Sequence, residues 1–413
     1  MKIDLLFSLL VKVITIVFGL LSYKLAVIYF GLEGFSEYSL SKRIISLLYS
    51  IFLLGLGVAI PRYLSMYKDD RYEQGNFFFS GLILIFISNL VLMIILMLMR
   101  EKLALFFFSS EKYAHLIFPI GVSISGMLWH ASVFSYFRGN LEFLKANILQ
   151  LVNLAIIPIT AFFLSSSVYY VFLVSGILTI LVSGIVIIKL ILEQSVIQNL
   201  KMISIVRNIK MLITYGLGRV IGDVGLAMLF STVPILSTQM YGIKVGGIVS
   251  FSISMLNLLA SFFSVIGIVL LPKLGLLYST GKVDMIRNYT IKITIFAVLI
   301  SISIVFMGLS FGRLILNYFI SDFNSNYWDL MRLSFLAIVP YSIYIVLRSV
   351  IDAIYSTPYN ALNVFISLFV LFVLSGFIYI FQCKYYYLMY SLLFSLSLLA
   401  FLTLVRSYSA FRS

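Results

Sequence analysis

Charge is scarce in this chain: only 11% of its 413 residues are Asp, Glu, Lys or Arg, against about a quarter in soluble proteins. Cysteine is scarcer still. The single Cys383 excludes an internal disulfide and any cysteine-based metal site, and two histidines, His115 and His130, leave little material for another kind of metal centre. No phosphate loop of the G-x-x-x-x-G-K-[ST] type and no nucleophile elbow is present. A built-in ATP motor is therefore excluded, and the chain is not expected to be an enzyme. Long polar segments are missing too. Isolated domains seldom fall below about 50 residues, and no stretch between apolar runs reaches that length, so the activity must reside among the apolar runs themselves.

Those runs dominate. Hydrophobic residues make up 62% and the mean hydropathy is +1.12. Runs of about 20 apolar residues, each long enough to cross a hydrocarbon core of about 30 Å, fall near 5–29, 44–66, 77–99, 114–137, 146–165, 168–190, 211–235, 246–271, 289–311, 333–355, 359–381 and 385–406. The chain reads as an all-α integral membrane protein of twelve transmembrane helices. Met1-Lys2 and the apolar run after it lack a small-residue cleavage site, so this segment reads as a retained first helix. In a soluble protein the net charge of +14 would suggest nucleic acid. Here no nucleic-acid partner is expected, because the Lys and Arg sit largely in short loops and orient the chain. With the N-terminus inside, seventeen fall on the inner side and nine on the outer, which predicts that both termini are cytoplasmic.

The chain is internally duplicated. Gly31 to Tyr67 matches Gly242 to Tyr278 without a gap: Gly31 falls on Gly242, Ser39 on Ser250, Ser41 on Ser252, Leu47 on Leu258, Ser50 on Ser261, and Pro61-Arg62 on Pro272-Lys273. Repeats related by an axis along the membrane normal build transporters whose halves rock around a central site. Two pseudo-symmetric six-helix bundles around a central cavity are expected, over 1–190 and 211–413. They are joined by an amphipathic cytoplasmic linker over 191–210, in which Leu192, Val196, Leu200, Ile203 and Val206 recur at helical spacing.

Charges within spans cost about 2.5–3.5 kcal/mol each on insertion scales and usually face a cavity or a partner. Arg219 and Asp223 are four apart on the seventh span, a spacing that also suits a structural ion pair. Lys12 and Asp223 are equivalent under the repeat, so a pseudo-two-fold axis places them at one depth. Lys24, nearer the end of its span, suits a snorkelling lysine. His130 suits proton relay, substrate binding or hydrogen-bonded packing. Arg62 and Lys273 follow the symmetric prolines Pro61 and Pro272 and, with Arg138 and Arg348, are expected to line the cytoplasmic mouth. The prolines themselves are candidate hinges.

The segment Leu212-Ile-Thr-Tyr-Gly-Leu-Gly-Arg219-Val-Ile-Gly-Asp223 resembles the seventh-span signature of polysaccharide-repeat flippases (O-antigen type, Wzx-like) of the multidrug/oligosaccharidyl-lipid/polysaccharide exporter superfamily. In that family a Tyr-Gly-Leu-Pro-Arg pattern is common. Gly218 replaces the proline here and becomes a candidate hinge. Tyr29-Phe-Gly-Leu-Glu-Gly-Phe-Ser-Glu-Tyr-Ser-Leu40, Tyr136-Phe-Arg-Gly-Asn140, Leu271-Pro-Lys-Leu274 and Leu347-Arg-Ser-Val-Ile-Asp-Ala353 are also similar to that family. The resemblance implies a flippase that moves undecaprenyl-pyrophosphate-linked oligosaccharide to the outer leaflet of a bacterial inner membrane by alternating access. It implies no cofactor beyond a coupling cation or proton. Membrane lipids, a glycan polymerase and a chain-length regulator would be its partners. Arg219 and Lys12 become pyrophosphate or acidic-sugar contacts, and Asp223 their pair or an ion-coupling carboxylate. The alternatives are a multidrug-type exporter of the same superfamily and an integral-membrane glycan polymerase. The first would be expected to carry carboxylates within its N-terminal half, and the second a large outer loop.

Overall fold

The computed structural model describes residues 2–193, 202–279, 283–319, 327–355 and 357–409. All secondary structure among them is helical. The helices are α1 (Lys2–Phe52), α2 (Leu56–Met66), α3 (Arg71–Leu98), α4 (Arg100–Phe108), α5 (Ile117–Gly139), α6 (Phe143–Leu151), α7 (Ile157–Phe163), α8 (Val168–Glu193), α9 (Met202–Tyr241), α10 (Ile243–Ser279), α11 (Val283–Phe319), α12 (Trp328–Leu336), α13 (Ile338–Ile354), α14 (Tyr359–Ile380) and α15 (Tyr386–Ser409). Eleven helical stretches among the described residues are long and apolar enough to cross a membrane. The twelfth crossing lies inside α1, whose 51 residues would extend about 75 Å if straight. Gly31 divides it into the first two spans. Its φ of 66° and ψ of −167° lie where only glycine is comfortable.

The repeat is thus written into the backbone. Gly242, the counterpart of Gly31, also has positive φ, 85°, and separates α9 from α10. Ser39, Ser41, Ser250 and Ser252 are all fully buried, so each copy turns the same small hydroxyl face into its own core. A Cβ at Gly31 or Gly242 would meet nothing within 4 Å. Gly31→Ala and Gly242→Ala are therefore each expected to destabilise through backbone strain alone, by about 1–3 kcal/mol, as thermal unfolding in detergent would show. A large cost at one and none at the other would break the equivalence.

Contacts divide the chain into two compact units, Met1–Val224 and Gly225–Ser413. The division falls within α9, so its first half packs with the first unit although the apolar pattern groups the seventh span with the second bundle. Residues 194–201 of the expected linker lie outside the described residues. On either side the chain continues neighbouring spans: 191–193 extend α8, and 202–210 are the first turns of α9.

In the first unit α5 is central and packs on α1, α2, α3, α6 and α8. It meets α8 backbone to backbone, since a Cβ on Gly176 would lie 2.7 Å from Val122 O, and one on Gly126 would lie 2.9 Å from Gly176 O. The Ser123 hydroxyl donates to Phe172 O at 2.7 Å across the same seam. Small residues that admit such approach are how helices associate in lipid, where hydrophobic burial supplies no drive. In the second unit α13 takes the central place against α10, α11 and α15. Leu270, Leu274, Leu277, Ile286, Leu347 and Val350 form a shared apolar core there.

Candidate functional site

The site starts from a break in the second span. Leu54 and Gly55 both have positive φ, 54° and 69°, and turn the chain between α1 and α2. The opening segment of α9 lies directly on this turn. A Cβ on Gly55 would fall 2.8 Å from Gly216 Cα and C and closer still to its carbonyl oxygen, while one on Gly216 would collide with Leu54 O. Only glycine at both positions lets the two backbones touch.

That contact fixes what lies beside it. From α2, Arg62 lays its guanidinium over the Tyr215 ring, 4.2 Å from the centroid. From α9, Arg219 approaches the same ring at 5.5 Å. Tyr63 meets Tyr215 edge-on at 6.1 Å and stacks on Phe77 of α3 at 4.8 Å with the planes 2° apart. Tyr67 stacks on Phe77 as well, at 5.1 Å. The first turns of α9 are tethered to α3. Arg207 pairs with Glu73 at 2.7 Å, Asn208 donates to the other carboxylate oxygen at 3.4 Å, and Asp70 caps α3 by accepting from the Tyr72 and Glu73 amides at 3.1 Å.

Two guanidiniums are thus held on one phenol ring, each cation–π contact contributing about 0.5–1 kcal/mol, more where water is excluded. The two cations repel one another. A dianionic group bridging them turns that repulsion into charge-assisted hydrogen bonding, which planar guanidinium forks deliver to phosphate oxygens.

The other charged candidates make contacts of their own. Asp223, one turn beyond Arg219 on α9, lies near Tyr49 of α1. Lys12 and Lys24 are half-buried on α1, and no described contact joins Lys12 to the Arg62–Tyr215–Arg219 cluster. Arg138, exposed in the last turn of α5, lies 5.6 Å from the Phe134 ring. In the second unit Arg348 pairs with Asp352 at 3.8 Å, and Asn360 donates to both Asp352 (2.8 Å) and Arg348 O (3.0 Å). The side chains of Pro272 and Lys273 lie outside the described residues. Pro61 sits within α2. At Gly218 α9 continues as helix, and a Cβ there would find open space.

His130 is buried in a packing node. Its Nδ1 shares a hydrogen bond with Asn153 Nδ2 at 3.0 Å, and Asn153 also donates to Ser183 Oγ on α8 at 3.1 Å. Asn153 belongs to a π-helical segment, Val152–Ile156, whose wider turn carries its amide into the α5–α8 seam. His130→Phe leaves that amide one partner short and is expected to cost about 1–3 kcal/mol in thermal unfolding without weakening anion binding at Arg62 and Arg219. Lost anion binding with unchanged stability would contradict this assignment.

Sequence reasoning singled out Arg62 and Arg219 but missed what joins them. Tyr215 and Gly216 lie inside the signature segment, yet nothing local ties them to Gly55 or Arg62, which arrive from far along the chain.

No family model and no curated protein matches the sequence. Solved structures do match in fold. A multidrug resistance MATE family transporter of the MOP superfamily, in an inward-facing conformation, aligns with a TM-score of 0.77 and 14% identity, covering 99% of this chain and 98% of that one. A MOP superfamily transporter from Pyrococcus furiosus Vc1 (DSM3638), reported with a binding pocket of reverse polarity that suggests a different function, aligns at 0.70 with 12% identity over 99% and 96%. The eukaryotic MATE transporter AtDTX14 aligns at 0.69 with 14% identity over 100% and 97%. At these identities the likeness is one of fold. The chain is an all-helical, multi-pass membrane protein with the MATE transporter fold.

Proposed function

We infer that this chain is a transporter, working by alternating access, whose substrate carries a phosphate-type anion. The observation that carries the reading is the pair of guanidiniums, Arg62 and Arg219, sharing the Tyr215 ring. A site for an organic cation would require the opposite charge. The finer reading is a flippase for undecaprenyl-pyrophosphate-linked oligosaccharide, in keeping with the resemblance of the seventh span to polysaccharide-repeat flippases. A bacterial plasma membrane with both termini in the cytoplasm is the corresponding location, supported by the loop-charge bias. Pyrophosphate suits two separated guanidinium forks because each phosphoryl group can take one.

A second reading is export of small molecules of the multidrug type. It is favoured by the neighbouring folds, among them a multidrug resistance transporter. Against it stands the cationic pair. The neighbour whose reverse pocket polarity suggests a different function is in keeping with one fold hosting more than one function.

The test is made in cells lacking the chain, by asking which leaflet holds lipid-linked oligosaccharide, with a membrane-impermeant glycan label on intact spheroplasts. The flippase reading expects complete units trapped on the inner leaflet and restored outward by the intact gene. Complete but unpolymerised units already outside would point to a polymerase, and unchanged glycan to small-molecule export.

A further inference from the structure

The second unit carries a groove of about 590 Å³ between α14 and α15, lined by Leu374, Phe377 and Ile378 on one wall and by Tyr387, Tyr390 and Phe394 among others on the opposite one. Phe377, Tyr387, Tyr390 and Phe394 are exposed, so none of the described residues fills it. Its serine hydroxyls are spent internally. Ser391 donates to Leu388 O at 2.8 Å and Ser397 to Leu393 O at 2.8 Å, which leaves an apolar floor.

One end of the groove is different. Tyr386, Tyr387 and Tyr390 form a ring-to-ring collar with centroids 4.7 to 6.4 Å apart. The exposed Lys384 lies in the turn before α15, and its carbonyl accepts from the Tyr387 amide at 3.1 Å. Tyrosines and a basic residue at a helix end mark the level of lipid headgroups. From Tyr387 to Ser397 the groove descends about 15 Å along the helix, half of a hydrocarbon core of about 30 Å. That depth is one leaflet.

We propose that the α14–α15 groove is a binding site for one resident phospholipid of anionic headgroup, with an acyl chain in the groove and its phosphate at Lys384 and the tyrosine collar. A two-chain lipid of one leaflet fits the depth. A polyprenyl tail, several times longer than a leaflet, does not. This site belongs to the second unit and the Arg62–Arg219 pair to the first, and its test does not depend on the transported substrate.

The experiment is native mass spectrometry of the full chain released from nanodiscs containing phosphatidylglycerol, phosphatidylcholine and undecaprenyl phosphate. Wild-type protein is expected to retain one phosphatidylglycerol. Ser397→Trp, which fills the groove from an exposed position, is expected to abolish retention, and Tyr390→Ala, which removes part of one wall, to reduce it. Lys384→Gln is expected to lower the preference for phosphatidylglycerol over phosphatidylcholine about fivefold. Absence of a retained phosphatidylglycerol in wild-type protein, retention of it that survives both groove variants, or retention of undecaprenyl phosphate that Ser397→Trp abolishes would each overturn the proposal.

Discussion

Gly216→Ala is expected to unseat the first half of α9 from the first unit, whereas Gly218→Ala, two residues on, is expected to stabilise the protein. The difference is steric. At Gly216 the added methyl meets the carbonyl of Leu54, a backbone atom that cannot swing aside without moving the α1–α2 turn. Overpacking of this kind costs about 1–3 kcal/mol, and the cost falls on the contact that holds Tyr215 against Arg62. At Gly218 the methyl enters open space on a continuous helix, and alanine is favoured over glycine there by about 1 kcal/mol. Thermal unfolding of purified variants in detergent reads both signs. Gly55→Ala should be worse than Gly216→Ala, because it adds a strained positive φ of 69° to the same collision. Equal effects of Gly216→Ala and Gly218→Ala would mean that the close approach of α9 to the turn does not hold the unit together.

Removing either arginine is expected to weaken pyrophosphate binding about tenfold or more, as a charge-assisted hydrogen bond is worth about 1.5–3 kcal/mol and 1.4 kcal/mol is tenfold. The ring between them sharpens the prediction. Tyr215→Phe keeps the π face and should bind within about twofold of wild type, an aromatic face rather than a hydroxyl being what the cations use. Tyr215→Leu removes the face and should lose affinity in the same direction as Arg62→Gln and Arg219→Gln. In a double-mutant cycle, combining Tyr215→Leu with either arginine change should cost less than the two single losses added together, since the partners share one interaction. Strict additivity would show the three side chains acting independently. Folding is monitored alongside by size exclusion, because Arg62 and Tyr215 also help seat α9.

Much of the fold was legible from the chain alone because lipid imposes a simple rule: backbone polar groups must be satisfied within the span, so apolar runs of bilayer length become helices. The repeat was legible for a related reason. Gly31 and Gly242 are glycines because a helix break with positive φ tolerates little else, and that requirement shows as an identity at one shift. What stayed hidden depends on contacts distant in sequence. The first two spans share one helix broken at Gly31, which apolar runs do not distinguish from two helices with a loop. The division of units inside α9 is a matter of packing, with no change in composition at Val224. His130 reads in sequence as a lone buried ionisable group, and only the π turn at Asn153 reveals its partner. The seventh-span signature draws the eye to Gly218, where a proline is replaced, yet the close contact is made by Gly216. Tyr215 carries no local sign that two arginines will meet over it.

The central claim is that the Arg62–Tyr215–Arg219 cluster receives an anion, and the most direct test is equilibrium binding of undecaprenyl pyrophosphate and of tetraphenylphosphonium to the purified chain in nanodiscs of uncharged lipid. The account predicts saturable binding of the pyrophosphate that weakens with salt, is lost in the Arg62→Gln, Arg219→Gln double variant, and is not displaced by the organic cation. Saturable binding of tetraphenylphosphonium that disappears in Asp223→Asn, with no binding of the pyrophosphate, would contradict it.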